Sequence, residues 1–232
     1  SSRLRCALSA ISCAKESENH VNDGQKNKIT ITASLPDELV TKVKFEAGES
    51  VIKPSWEQTD VIRIISDNGK SETYSIKEIN GKTATFEGNE LEGASFTAIY
   101  PGNYETAKAL GNRSYTSQVQ MGNGSTAHLQ LNAMAAGLSD ISSISFADAG
   151  AKLNGAVKLY VKLPEYVTRP KEVSLSAASD VFFTDNAGTA KSSSLGLSLE
   201  NVDISVDHIF TAYLMSSWTE ATIEAGTELT LT

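Results

Sequence analysis

The chain has 232 residues, 40% of them hydrophobic and 21% charged, with 28 acidic side chains against 20 basic ones. That length and apolar content suit one large or two small domains with a real core, and a net charge of −8 lacks the basic stripe of a nucleic-acid-binding protein. Two cysteines exclude a disulfide-rich scaffold, and no apolar run reaches the roughly 18–20 residues of a membrane-spanning helix.

Both cysteines, Cys6 and Cys13, stand at the very start of the chain. Arg3 and Arg5 supply a positive region, the rest of residues 4–12 is small or apolar, and Ala10-Ile11-Ser12 leads into Cys13. Small residues before a cysteine, after a basic and apolar stretch, form the pattern of a bacterial lipoprotein signal. Residues 1–12 are therefore expected to be part of a signal peptide, with Cys13 the lipidated residue. Residues 13–28 are polar, without an aromatic side chain, and read as anchor and flexible tether. Cleavage before Cys13 removes two positive charges and no acid, taking the net charge from −8 to −10. An acidic exterior is repelled by anionic lipid heads, which leaves the membrane contact to the acyl group.

From residue 29 the pattern has period two. Ile29-Thr30-Ile31-Thr32-Ala33-Ser34-Leu35 alternates apolar and hydroxyl side chains, the mark of a half-buried strand. Further strands are expected at 43–45, 61–65, 73–76, 83–86 and 96–100, with Asn80-Gly81 as a two-residue hairpin loop. Residues 105–110 can form one short helix. The Gly/Asn/Ser-rich stretch 111–126 reads as loop. A second series of strands is expected at 144–146, 157–163, 173–175, 181–183, 195–199, 202–206, 210–215 and 229–231, of which 157–163 alternates most cleanly. Short strands at roughly 8–12-residue spacing indicate β-sandwiches. The expectation is an all-β chain of two sandwiches, 29–137 and 138–232.

Catalytic and metal signatures are missing from the pattern. His20, His128 and His208 are far apart and have no cysteine beside them, so neither a zinc site nor another metal or cofactor is expected. No nucleophile elbow, zincin helix or phosphate loop occurs. Asp185, Asp203 and Asp207 lack the alternating ligand run of a calcium loop, and Glu87, Glu90 and Glu92 read as solvated loop charges. The chain is read as non-catalytic. Trp56 and Trp218 are candidate ligand contacts because an exposed indole on a sandwich can stack on a sugar ring. Trp56, four residues before Asp60 and the strand that follows, also suits packing at a strand entrance.

The order and spacing of several stretches resemble the fimbrillin family of Bacteroides-type bacteria. They are Thr41-Lys42-Val43-Lys44-Phe45, then Ser55-Trp56-Glu57-Gln58-Thr59-Asp60-Val61-Ile62-Arg63-Ile64, then Ala84-Thr85-Phe86-Glu87-Gly88 and Phe96-Thr97-Ala98-Ile99-Tyr100-Pro101. Residues 125–129, 134–136 and 212–215 add to the likeness, which covers nearly everything after residue 28. Gln58-Thr59 departs from the Ala-Gly often found before the aspartate. The resemblance implies two tandem transthyretin-like β-sandwiches on an outer-membrane or cell-surface lipoprotein that can be released into a fimbria. It implies assembly with copies of itself or related subunits: a protease removes the first strand, and a neighbour's strand fills the groove. Here that strand carries Ile29, Ile31, Ala33 and Leu35 inward. Family members are cut after arginine, and no arginine lies between Cys13 and Arg63, so Lys42 is the expected processing position. The chain ends inside a strand-like run, Leu229-Thr230-Leu231-Thr232, which leaves open a shortened second sandwich or a subunit that anchors, caps or works by itself. A glycan-binding surface lipoprotein is the alternative reading.

Overall fold

The computed structural model describes residues 27–37, 39–40, 51–148, 150–219, 223 and 226–232. Cys6, Cys13, His20, Lys42 and the strand expected at 43–45 lie outside the described residues.

Alternation of apolar and hydroxyl side chains becomes strand β1 (Lys28–Ser34), followed by the short pair β2 (Leu39–Val40) and β3 (Val51–Ile52). A meander then runs through β4 (Val61–Ser66), β5 (Ser71–Asn80), β6 (Thr83–Asn89) and β7 (Phe96–Tyr100). Its first members pair antiparallel as neighbours, β4 with β5 and β5 with β6, as tight connections favour. At the β5–β6 hairpin Asn80 pairs with Thr83, so the loop is Gly81-Lys82, one residue beyond the expected one. Gly81 takes the positive φ of 62° there, a conformation that glycine adopts without steric cost.

Helix α1 (Ala107–Gly111) is the expected short helix. The Thr106 hydroxyl accepts from the Ala109 N–H at 3.0 Å and caps its start. Within the stretch read as loop lies β8 (Val119–Met121), and beyond it come β9 (Ala133–Leu138), β10 (Ser143–Ser145) and β11 (Lys152–Leu153). Among the described residues the first sheet has the order β10-β1-β6-β5-β4-β7-β9-β11. Nearly every strand sends side chains into one cluster that includes Ile31, Ile64, Tyr74, Phe86, Ala98 and Ile144. A flat sheet this wide would leave that face in water, so the buried cluster requires the sheet to curve over itself.

The remaining strands are β12 (Gly155–Lys162), β13 (Glu172–Ala177), β14 (Phe182–Phe183), β15 (Lys191–Ser192), β16 (Ser194–Glu200), β17 (Ile209–Ser216) and β18 (Leu229–Leu231). The β12–β17 ribbon and the sheet β18-β13-β16-β8 share a second apolar cluster, with Leu159, Leu175, Leu197, Phe210 and Leu214 at its centre. Strands β14 and β15 form a separate small ladder.

Two expectations change here. The division at 137/138 does not coincide with the cores: Ile141, Ile144 and Phe146 belong to the first cluster and Leu153 packs against it, while the earlier β8 joins the second sheet. The chain thus joins the second sheet at 119–121, returns to the first, and leaves it finally between Leu153 and Gly155. The strand expected at 202–206 is instead a turn. Val202 and Ile204 are buried, the Asp203 carboxylate accepts the Ser205 N–H at 3.0 Å, and Val206 points into solvent. An aspartate that bonds the backbone two residues on closes an Asx turn and competes with a ladder.

Candidate functional site: the seat of the first strand

Strand β1 is internal to its sheet. Along one side it runs antiparallel to β6 over its whole length, from Lys28 opposite Asn89 to Ser34 opposite Thr83. Along the other it meets β10 in parallel over the last three residues, Thr32, Ala33 and Ser34. The N–H of Thr32 donates to the Ser142 carbonyl at 2.9 Å, and the N–H of Phe146 donates to Ser34 at 3.0 Å. Residues 28–31 have no β10 partner among the described residues, so half of β1 is held from one side.

The pleat sorts its side chains. Ile31, Ala33 and Leu35 are 1%, 0% and 4% exposed, and Ile29 packs at the cluster's edge half-buried. Thr30 faces out. Each fully buried aliphatic side chain of this size contributes about 1.5–3 kcal/mol. Ala33 sits opposite Ala84 on β6 and Ile144 on β10, a place that takes a methyl group and little more. A strand occupying this seat must therefore be apolar at alternating positions, with a small residue third in the row.

Both ends of the strand are pinned. At the start, Glu90 N–H donates to the Asn27 carbonyl at 2.8 Å, and the Asn27 side-chain amide donates to the Glu90 carboxylate at 3.2 Å. At the finish, Leu35 N–H donates to the Lys82 carbonyl at 3.0 Å. The Lys82 ammonium bonds the Asp37 carboxylate and holds that carboxyl below its usual range. Both groups are largely solvated, so the pair adds little stability.

Trp56 stands under this end of the strand, and its ring is core. It is buried, its Nε1–H donates to the same Lys82 carbonyl at 2.8 Å, and Phe86 and Tyr100 lie edge-on to it at 5.2 and 5.1 Å. No ring face is left for a sugar, which removes Trp56 as a ligand contact. Trp218 is half-buried beyond the end of β17 and belongs to neither apolar cluster. The two tryptophans do not form a shared platform.

Sequence reasoning missed a cleft of about 550 Å³ between the first core and the β12–β17 ribbon, lined among others by Leu35, Asp60, Tyr100, Arg113, His128 and Met215. Arg113 Nη1 donates to the Tyr104 hydroxyl at 3.0 Å and to the Gln130 side-chain oxygen at 2.5 Å. His128 Nε2 bonds the Tyr213 carbonyl at 2.8 Å. Burial raises the Tyr100 phenol well above its ordinary pKa, and the Asp60 carboxylate beside it adds to the shift. The cleft's polar groups are scattered along the chain, so no motif could have shown them. Among the described residues no group of three or more His, Cys, Asp or Glu side chains converges as a metal site would require.

Comparisons of the chain with protein-family models, with curated proteins and with solved structures find no match. Fold and site define an all-β protein with two apolar clusters, whose first strand is seated between two others.

Proposed function

We propose that this chain is a non-catalytic, surface-anchored fimbrial or adhesion subunit of the fimbrillin type, which assembles by exchanging its first strand. In this reading the two clusters are the cores of two transthyretin-like sandwiches, Cys13 carries the lipid, and cleavage at or near Lys42 releases β1. The observation that supports it is the seat itself: an internal strand whose removal would expose two facing backbone edges, on β6 and β10, and three alternating apolar sockets. Such a groove is the receptor for β-strand addition, in which main-chain bonds give strength and side-chain sockets give specificity. Repeated head to tail, the contact makes a filament.

The test is a chain carrying a specific protease site in place of residues around Lys42. Cutting should leave the folded body able to bind a synthetic peptide of residues 28–35, and to form oligomers when no peptide is added. A cut protein that loses β1, stays folded, ignores the peptide and remains monomeric would overturn the reading.

A further inference from the structure

The outer edge of β17 is closed by side chains instead of by a strand. On its inner side β17 pairs with β12 from Ile209 opposite Lys162 to Ser216 opposite Gly155. In an antiparallel ladder alternate residues turn their backbone groups the other way, and here those residues are Ile209, Thr211, Tyr213 and Met215. Every outward N–H and C=O among them is satisfied by a side chain. Asn123 accepts from Thr211 N–H at 2.8 Å and donates to the Ile209 carbonyl at 2.8 Å. Gln120 accepts from Tyr213 N–H at 3.0 Å and donates to the Thr211 carbonyl at 2.9 Å. Gln118 accepts from Met215 N–H at 2.6 Å and donates to the Met215 carbonyl at 3.2 Å. His128 takes the Tyr213 carbonyl and Asp207 the Ile209 N–H, at 2.8 and 3.0 Å. A carboxamide has the donor and acceptor of a peptide group, so Gln118, Gln120 and Asn123 form an imitation strand. Gln120 is fully buried in that role, with no water-facing use for its amide.

We propose that this row is a removable guard on a strand-accepting edge, and that the partner it holds off is the same edge of a second copy of the chain. The edge is self-complementary. With a two-fold axis at Ala212, Thr211 meets the second copy's Tyr213 and Ile209 meets the second copy's Met215. All four outward residues then exchange both backbone bonds. The guard's strand, β8, pairs with β16 over three residues, flanked by bonds from Ser198 N–H to the Gln118 carbonyl and from Gly122 N–H to the Glu200 carbonyl, and Gly124 N–H adds a bond to the Thr211 carbonyl. Its other side chains, Val119 and Met121, are 40% and 58% exposed, so the guard is held by hydrogen bonds, which a second strand can replace, more than by apolar packing of its own. Gly122 and Gly124 follow with φ of 91° and 69°, giving the segment turns that other residues resist. An unguarded edge of this length is a template for pairing between chains. This inference does not depend on how β1 behaves.

Amide hydrogen exchange and mass measurement in solution test it on the full chain. In the wild-type protein the N–H groups of Thr211, Tyr213 and Met215 should exchange at least about tenfold faster than those of Ala212 and Leu214, because lifting the guard opens them without unfolding the sheet. In Gln118→Ala/Gln120→Ala the protein should become dimeric as concentration rises, with exchange at Thr211, Tyr213 and Met215 fast in the monomer and slow again in the dimer. Asn123→Ala, at an exposed residue, is the variant that keeps the fold if the double change does not. It should show the same concentration-dependent protection at Thr211. Equal protection of the two sets of amides, a variant that stays monomeric at millimolar concentration, or a dimer that leaves these amides fast would each overturn the proposal.

Discussion

Leu35 and Trp56 share one acceptor: the Lys82 carbonyl takes the Leu35 N–H at 3.0 Å and the indole N–H at 2.8 Å. The last residue of the seat and the ring beneath it are thereby fastened to the same hairpin loop. A carbonyl oxygen has two lone pairs, so the arrangement satisfies both donors without competition. Trp56→Ala removes a buried ring with edge-on partners and a bonded N–H, and should cost about 3–5 kcal/mol of unfolding free energy. Denaturant titration followed by circular dichroism reads it. A loss under 1 kcal/mol would mean that the ring is not packed where it is placed.

The seat makes a second, residue-by-residue expectation. Ile31 is buried and should lose about 2–5 kcal/mol as Ile31→Ala. Thr30 beside it faces water and should stay within about 0.5 kcal/mol as Thr30→Ala. The same contrast should appear in peptide binding to the trimmed protein, since the peptide reoccupies the same sockets. A reversed contrast would show that the strand has slipped by one residue, which turns every side chain to the opposite face, and equal effects would show that β1 is not seated in these sockets.

How much of this was legible depends on whether polarity and burial coincide. Residues 29–35, 61–65, 83–86 and 157–163 bury apolar members on one face and leave the other face more exposed, so period two locates β1, β4, β6 and β12 to within three residues at either end. Strand β8 is invisible because its inward side chain is Gln120, with Gln118 just before it, polar groups buried to bond an edge. No hydrophobicity pattern marks glutamine as core. Val202-Asp203-Ile204-Ser205-Val206 failed in the opposite sense: it alternates well, yet the Asp203 carboxylate turns the backbone. The pairing of β10 with β1 joins residues more than a hundred positions apart and leaves no local trace, which is why 138–153 was assigned to the wrong core. Trp56 suits both a sugar contact and strand-entrance packing by its place in the sequence, and its burial decides for packing.

Gly88 offers a test of the sheet beneath the seat. It stands opposite Ile29, and a Cβ there would lie 2.5 Å from Cδ1 of Tyr74, well inside contact distance. Tyr74 cannot step aside freely: its ring is buried and its hydroxyl donates to the Asn89 carbonyl at 2.7 Å. Burial is also the main reason that its phenol is pushed up to about 12, with the Glu72 and Glu90 carboxylates adding to it. Gly88→Ala should cost about 1–3 kcal/mol by overpacking. Gly196→Ala, where an added Cβ meets nothing within 4 Å, is the control that should cost less. Thermal unfolding of the two variants decides it, and a Gly88 variant as stable as the control would show that the Tyr74 ring does not rest on that glycine.

Asp203 carries the clearest pH expectation. The Ser205 hydroxyl and N–H, and then the Arg169 guanidinium, hold its carboxyl down to about 2. Arg169 Nε and Nη2 reach the same oxygen at 3.2 and 3.0 Å. An ordinary aspartate in the unfolded chain titrates near about 3.9, so the folded state favours the ionised form. Its contribution to stability is full above about pH 4 and fades as pH falls through about 2, because protons then bind the unfolded state first. Carbon NMR of the Asp203 carboxyl should show a midpoint near 2 in the wild-type protein, moved upward by Ser205→Ala and less by Arg169→Ala. Asp203→Asn should flatten the acid side of the stability curve between pH 4 and 2. A wild-type midpoint close to the unfolded value would mean that the turn bonds which displaced the expected strand at 202–206 are not made in solution.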